Sequence, residues 1–374
     1  MMKHLCCARG TAVLLLLTVV AQINRAADAD AALDRFFRHY LEESFQQRPL
    51  EATQLGDHRF DARLDDLTPV ARARWVAHTR RTLEQLPGAV AYSDLTRAGQ
   101  IDYETFRQHL LRAVWLAENL HPFENDPRVY NDYVNDSVYL LLAQSTLPRE
   151  TNISNVLARM AEIPRVLAAA RANLQNPPPV LVDTAIRQNR GAIGFYASDI
   201  FTLAGPTRQL PELKAAAQSV VAALQAYQGF LEKDLRPRAH GDWRLGREKF
   251  YHKLELDLDA GVTADQVLAD AETEFDRVRR DMYVIGRQLW SHYFPKAALP
   301  PDDTEGRNET IRRVLVEIGH DHGKPANLTR DARATVERIK RFIRAHDLLR
   351  LPEPDHCRVI EMPEFQRGNS TAFM

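Results

Sequence analysis

The chain has 374 residues, of which 45% are hydrophobic and 26% charged, and its 49 Lys and Arg offset 50 Asp and Glu to a formal net charge of -1. That balance excludes a disordered or collagen-like chain. It also argues against nucleic acid as a partner, because a grip on phosphates needs surplus positive charge on some face.

At the N-terminus, Lys3, His4 and Arg9 precede an uncharged apolar run from Thr11 to Ala21. That run is too short to cross about 30 Å of hydrocarbon, which takes about 20 residues. Small residues follow at Ala21 and at Ala27 to Ala29, so residues 1–29 read as an export signal. The mature protein is therefore expected in the periplasm or outside the cell. Cys6 and Cys7 precede the apolar run, whereas a lipoprotein cysteine would follow it. Removing the signal leaves Cys357 alone, which excludes an intramolecular disulfide. No other segment resembles a membrane span.

Helical spacing dominates from residue 30 onward. Leu33, Phe36, Phe37, Tyr40, Leu41 and Phe45 recur at intervals of three and four, which makes one apolar helical stripe. Thr68-Pro69 places a cap before a proline at the first helical position and opens a helix to about Leu86. Ser93 is the expected cap of a stretch carrying Ile101, Phe106, Leu110, Leu111 and Trp115. A helix from Asn152 to Leu174 should kink at Pro164, and Gln175 to Pro179 breaks it. Leu181 to Leu203 and Pro211 to Leu235 read as two more helices. Thr263-Ala264-Asp265-Gln266 has the form of a capping box, opening a helix to Tyr293. Glu309 to Ile318 and Asp331 to His346 are helical again. Only Arg358 to Met362 has the character of a strand. The expected fold is all-α, mostly antiparallel long helices, with at most a short strand near the C-terminus.

Compact catalytic motifs are absent. There is no G-x-S-x-G, no phosphate-binding loop, no G-x-G-x-x-G and no His-Glu dipeptide. His320-Asp321-His322 is the densest group of metal-ligand types, but Gly319 and Gly323-Lys324-Pro325 flank it, and a surface turn is the preferred reading. In Gly56-Asp57-His58-Arg59-Phe60-Asp61 an Asp and an Arg flank a His within a short loop. Such loops carry function, yet a helix-capping role for the Asp is preferred. Glu255, Asp257 and Asp259 read as a solvated face without transition-metal ligands. Trp75, Trp115, Trp243 and Trp290 read as core residues.

Several segments together resemble a bacterial family known as domain of unknown function 885, whose members look like exported or lipid-anchored zinc metallopeptidases. They are Leu55-Gly56-Asp57-His58-Arg59-Phe60-Asp61, Ile101-Asp102-Tyr103, Lys253-Leu254, Ala260 to Val267 and Val359-Ile360-Glu361-Met362-Pro363. The resemblance implies a zinc site made of a His-Glu pair, a nearby Pro-Gly-His and a downstream acidic ligand. None of those positions matches here. No catalytic, cofactor-binding or metal-ligating residue is therefore assigned in this chain, and zinc is expected only in a full-length family member. Asn369 to Phe373 resembles the approach to an edge strand that pairs with substrate backbone in zinc peptidases. Residues 30–374 are thus expected to be the helical N-terminal portion of a metallopeptidase-like domain, ending before the zinc motif. That portion would supply the wall of a groove for a peptide substrate. The alternative is a complete, non-catalytic extracytoplasmic helical protein that binds a peptide or a partner.

Overall fold

The computed structural model describes residues 4–258, 261–355 and 357–366, with side chains from Arg25 onward. Helix makes up 77% of the chain and no strand forms among the described residues, as the all-α expectation requires. Asp259, His356 and the Asn369–Phe373 stretch lie outside the described residues.

The chain begins with α1 (His4–Gln47) and α2 (Pro49–Gln54), then α3 (Pro69–Ala89), α4 (Arg97–Asn119), α5 (Pro122–Asn125), α6 (Arg128–Ala143) and α7 (Arg149–Asn173). It continues through α8 (Pro179–Gly194), α9 (Ile200–Ala204), α10 (Leu210–Phe230), α11 (Arg247–Leu258), α12 (Ala264–Tyr293), α13 (Thr304–Gly319) and α14 (Leu328–His346). Among the described residues no helix is long and apolar enough to cross a membrane. Thr68 caps α3 as expected, its hydroxyl accepting the Ala71 N–H at 3.3 Å. The cap of α4 is Thr96, not Ser93, which lies in a single 3-10 turn over Tyr92–Asp94. α7 runs unbroken through Pro164. α6 is a helix that the sequence expectation does not include.

The strand expected at Arg358 to Met362 does not form; residues 357–363 have irregular backbone. A lone strand has no neighbour to take its N–H and C=O groups. Here the Val359 carbonyl accepts a hydrogen bond from Arg333 Nε at 2.9 Å instead.

The chain divides into two compact units, Met1–Ala260 with Pro363–Met374, and Gly261–Met362. In the first, α6, α7, α8 and α10 enclose a core that includes Val134, Val138, Ile153, Val156, Ile163, Val182, Val220 and Leu224. Each such side chain contributes roughly 1.5–3 kcal/mol when fully buried. A smaller cluster joins Leu33 of α1 to Leu86 and Val90 near the end of α3, and to Tyr103 of α4. α8 passes through one π turn, Phe195–Asp199, into α9. Gly191 lets residues 364–365 lie directly on α8: a Cβ there would meet the Phe365 N at 2.7 Å. Phe365 itself is buried against the rings of Tyr139 and Phe195.

A buried guanidinium organises the first unit. Arg159 of α7 is fully enclosed, with Nε donating to the Arg63 carbonyl (3.1 Å), Nη1 to the Ser137 carbonyl (2.9 Å) and Nη2 to Thr53 Oγ1 (2.5 Å). The buried Asp61 carboxylate lies 3.9 Å from Nη2 and accepts from Thr53 Oγ1 at 2.7 Å, while its other oxygen meets His58 Nδ1 at 2.8 Å. Burial lowers the Arg159 pKa, and Asp61 opposes that shift.

In the second unit, α12 packs on α13. Tyr283 and Trp290 are buried with Val314, and the Arg313 guanidinium covers the Trp290 ring at 4.7 Å from its centroid. The expected capping box opens α12, with Gln266 N–H donating to Thr263 Oγ1 (3.2 Å) and Thr263 N–H donating to Gln266 Oε1 (2.8 Å).

Thr263→Ala removes one half of that box and should lower stability by about 1 kcal/mol, read as a shift in a denaturation midpoint. Arg159→Met leaves the Asp61 carboxylate buried without its cation and should cost roughly 3–5 kcal/mol. Adding Asp61→Asn to that variant should recover part of the loss in equilibrium unfolding.

Candidate functional site

A cleft of about 920 Å³ opens in the first unit, lined by side chains of α2, α3, α4 and α6 and of the segments between them. Its walls differ in character. Leu50, Trp75, Leu116 and Phe123 give an apolar surface. Two arginines lie flat on aromatic rings along it. Arg48 is 5.4 Å from the Trp75 centroid and pairs with Glu51 at 2.7 Å. Arg72 is 4.6 Å from the Phe123 centroid and pairs with Glu124 at 2.7 Å. Each guanidinium is thus held by a carboxylate and a ring face together.

The lining also carries two half-buried carboxylates, Asp65 and Asp136. Asp65 Oδ1 accepts the Leu50 N–H at 3.1 Å, and the Asp65 N–H donates to the Tyr133 hydroxyl at 2.5 Å. Burial raises the Asp65 carboxyl pKa, and burial together with the Asp65 charge raises that of the Tyr133 hydroxyl. Asp136, one turn along α6 from Tyr133, differs from both. No hydrogen bond or ion pair reaches it among the described residues. Burial, and secondarily the charge of Asp132 one turn earlier, push its carboxyl up to about 6.

The seam between α6 and α8 beside this carboxylate is rich in acceptors that have no donor. Gln188 is fully buried; its Nε2 donates to Asp132 Oδ1 at 3.4 Å and its Oε1 is unpartnered. Asn131 Nδ2 donates to the Ala185 carbonyl at 2.8 Å and Asn189 Nδ2 to the Leu224 carbonyl at 3.0 Å, leaving both Oδ1 atoms unpartnered. Such atoms are exceptional in a native interior.

The residues singled out in the sequence fall elsewhere. His320 and His322 are exposed in the turn after α13, His322 Nδ1 meeting the Gly323 carbonyl at 2.9 Å. Asp57 does cap a turn, accepting the Arg59 N–H at 3.0 Å. His58 and Asp61 of the same motif join the Arg159 network and do not line the cleft. Glu255 and Asp257 are exposed on α11, where Asp257 pairs with Arg112 at 2.6 Å. Cys357 is a free, exposed thiol. Of the four tryptophans only Trp290 is buried; Trp243 is exposed, and Trp75 is half-buried against the Tyr40 and His78 rings as a wall of the cleft. No group of three or more His, Cys, Asp or Glu side chains among the described residues is placed to hold a metal ion.

What sequence reasoning missed is α6. The signal was available in Asn131-Asp132 and Asn135-Asp136, two polar pairs four residues apart within an otherwise aromatic and aliphatic run.

Asp136 is held charged against its environment, so the folded state binds its proton more tightly than the unfolded chain does. That penalty is fully present above about pH 6 and disappears as the pH falls below the ordinary aspartate range. Asp136→Asn should therefore stabilise the protein at pH 7 by about 1–3 kcal/mol. The gain should vanish near pH 4 when denaturation midpoints of the two proteins are compared.

The model of one family, described as "Bacterial protein of unknown function (DUF885)", matches residues 49–374. Among curated proteins none matches. The fold is similar to the solved structure of "a putative lipoprotein of unknown function" from Shewanella oneidensis, with a TM-score of 0.67 and 24% identity. The similarity covers 86% of this chain and 59% of that one, so the chain spans less than two thirds of its structural relative. Matched over most of its length, the chain belongs to the DUF885 family of bacterial proteins.

Proposed function

We propose that this chain supplies the helical, substrate-facing portion of an exported zinc-peptidase-like protein, and that its cleft holds a stretch of peptide. The observation that carries this reading is the cleft itself. At about 920 Å³ it falls in the range of roughly 300–1,000 Å³ typical of ligand pockets. Its composition also suits a peptide. An apolar wall of Leu50, Trp75, Leu116 and Phe123 accommodates side chains, while Arg48, Arg72 and the half-buried carboxylates offer polar contacts. The chemical step is placed outside the described residues, since hydrolysis of this kind uses a metal-bound water and a general base.

Export belongs to the same proposal. It is supported by the basic residues and short apolar run at the start of α1 and by the description of the structural relative as a lipoprotein. The non-catalytic alternative, an extracytoplasmic helical binding protein, uses the same cleft and differs only in needing no metal.

The purified chain should bind neutral, acetylated peptides without cleaving them and should retain less than stoichiometric zinc after dialysis, measured by calorimetry and elemental analysis. Chelator-sensitive cleavage, with zinc lost on mutating His320 and His322, would overturn this division of labour. Protein recovered from a bacterial periplasm should begin between about Ala21 and Ala29; an intact Met1 in the cytoplasm would remove the claim of export.

A further inference from the structure

We propose that Asp136 seats a cationic group of the cleft's ligand, a primary ammonium or a guanidinium. The inference deepens the peptide-groove reading and rests on it for the class of ligand. Three features of the structure support it.

First, Asp136 lines the cleft and is half-buried, and no hydrogen bond or ion pair reaches its carboxylate among the described residues. Two of the four arginines in the lining are committed elsewhere, Arg48 to Glu51 and Arg72 to Glu124. The hydroxyls nearby are committed too. Tyr196 donates to the Val134 carbonyl at 2.8 Å, and Tyr133 is engaged with Asp65. A half-buried carboxylate inside a cleft favours a donor that carries positive charge.

Second, the surroundings of Asp136 hold acceptors in excess of donors. Asp132 lies one turn away on α6, and the fully buried Gln188 reaches Asp132 from α8 while its own Oε1 has no donor. An ammonium carries three donors and a guanidinium five, and neither carries an acceptor. Asn135 Nδ2 is an unpartnered donor, but the unpartnered amide oxygens of Asn131, Asn135, Gln188 and Asn189 outnumber it, and either cation fits that excess of acceptors.

Third, the arrangement does not suit a metal ion. No group of three or more carboxylate, imidazole or thiolate side chains gathers among the described residues, and the remaining acceptors are amide carbonyls. An organic cation needs only one carboxylate and a few carbonyl oxygens arranged around its N–H groups.

Two sources offer this chemistry in a peptide, the free α-amino group and a Lys or Arg side chain. The test titrates the purified chain with four short peptides of one parent sequence: acetylated and neutral, free at the N-terminus, acetylated with one Arg, and acetylated with citrulline in place of that Arg. N-acetyl-arginine amide and N-acetyl-citrulline amide serve as small probes. At least one cationic peptide should bind tenfold or more tightly than its neutral counterpart, and which one does identifies the source. Asp136→Asn should abolish that preference, whereas Asp136→Glu, which keeps the charge, should retain it. Melting curves verify that both variants fold.

Equal binding of charged and neutral members to the unaltered protein, or a preference that survives Asp136→Asn, would overturn the assignment. If no peptide binds but the arginine probe is still preferred over citrulline and loses that preference in Asp136→Asn, the cation seat stands and the peptide-groove reading falls.

Discussion

The first unit depends on one enclosed charge. Taking a guanidinium out of water is costly unless its nitrogens find acceptors and a counter-charge stands close by. Arg159 meets that demand with carbonyls of Arg63 and Ser137, the hydroxyl of Thr53 and the nearby Asp61. Those groups belong to α2, to the turn that follows it and to α6, so the requirement fixes three segments against α7 at once. The same demand explains the Asp-His-Arg-Phe-Asp motif. Its first Asp caps the turn, and its last Asp is the counter-charge to a residue 98 positions later in the chain.

The cleft follows from this arrangement. α2 and α6, held in register by the guanidinium, bring Leu50, Asp65, Tyr133 and Asp136 into one lining, and α3 and α4 close the other side with Trp75 and Leu116. One helix, α6, therefore serves two ends. Its Val134, Val138 and Leu141 enter the core, while Asn131, Asp132, Asn135 and Asp136 bring polar groups into or beside the α6–α8 seam. Unsatisfied acceptors and a carboxylate without a cation reduce stability where they sit. Asp136 lines the cleft, whereas the unpartnered amide oxygens of Gln188 and Asn189 lie on α8 within the packing against α6 and α10.

The second unit is built on a different balance. α12 carries the apolar spacing expected of it, but only Tyr283, Gly286 and Trp290 toward its C-terminal end are buried, against α13. Leu268, Phe275, Val278 and Ile285 stay exposed, as do Ile339 and Phe342 of α14, a helix with no buried residue. In this unit helix formation owes more to caps and to i,i+3 and i,i+4 ion pairs, such as Arg277 with Glu274 and Asp281, than to a shared core. Exposed pairs of this kind contribute only a few tenths of a kcal/mol each.

The helices were legible in the sequence because their signals are local. A three-four apolar spacing, a Thr-Pro start and the Thr263 capping box each act within a few residues, and α3 and α12 begin where those residues place them. The family was legible as well, since its motifs lie in order along the chain. The site was not. His320 and His322 stood out only because they are close in sequence, and they lie in an exposed turn. Along the chain Asp136 shows only as the second of two Asn-Asp pairs; its character comes from partial burial and from Asp132, in a cleft whose other walls come from distant segments. Likewise nothing within ten residues of Arg159 reveals that it is enclosed with Asp61. Local hydrogen bonding and periodicity determine where helices start and which face is apolar, whereas the environment of a charge is the sum of contacts from distant segments. That sum exists only once the chain has folded.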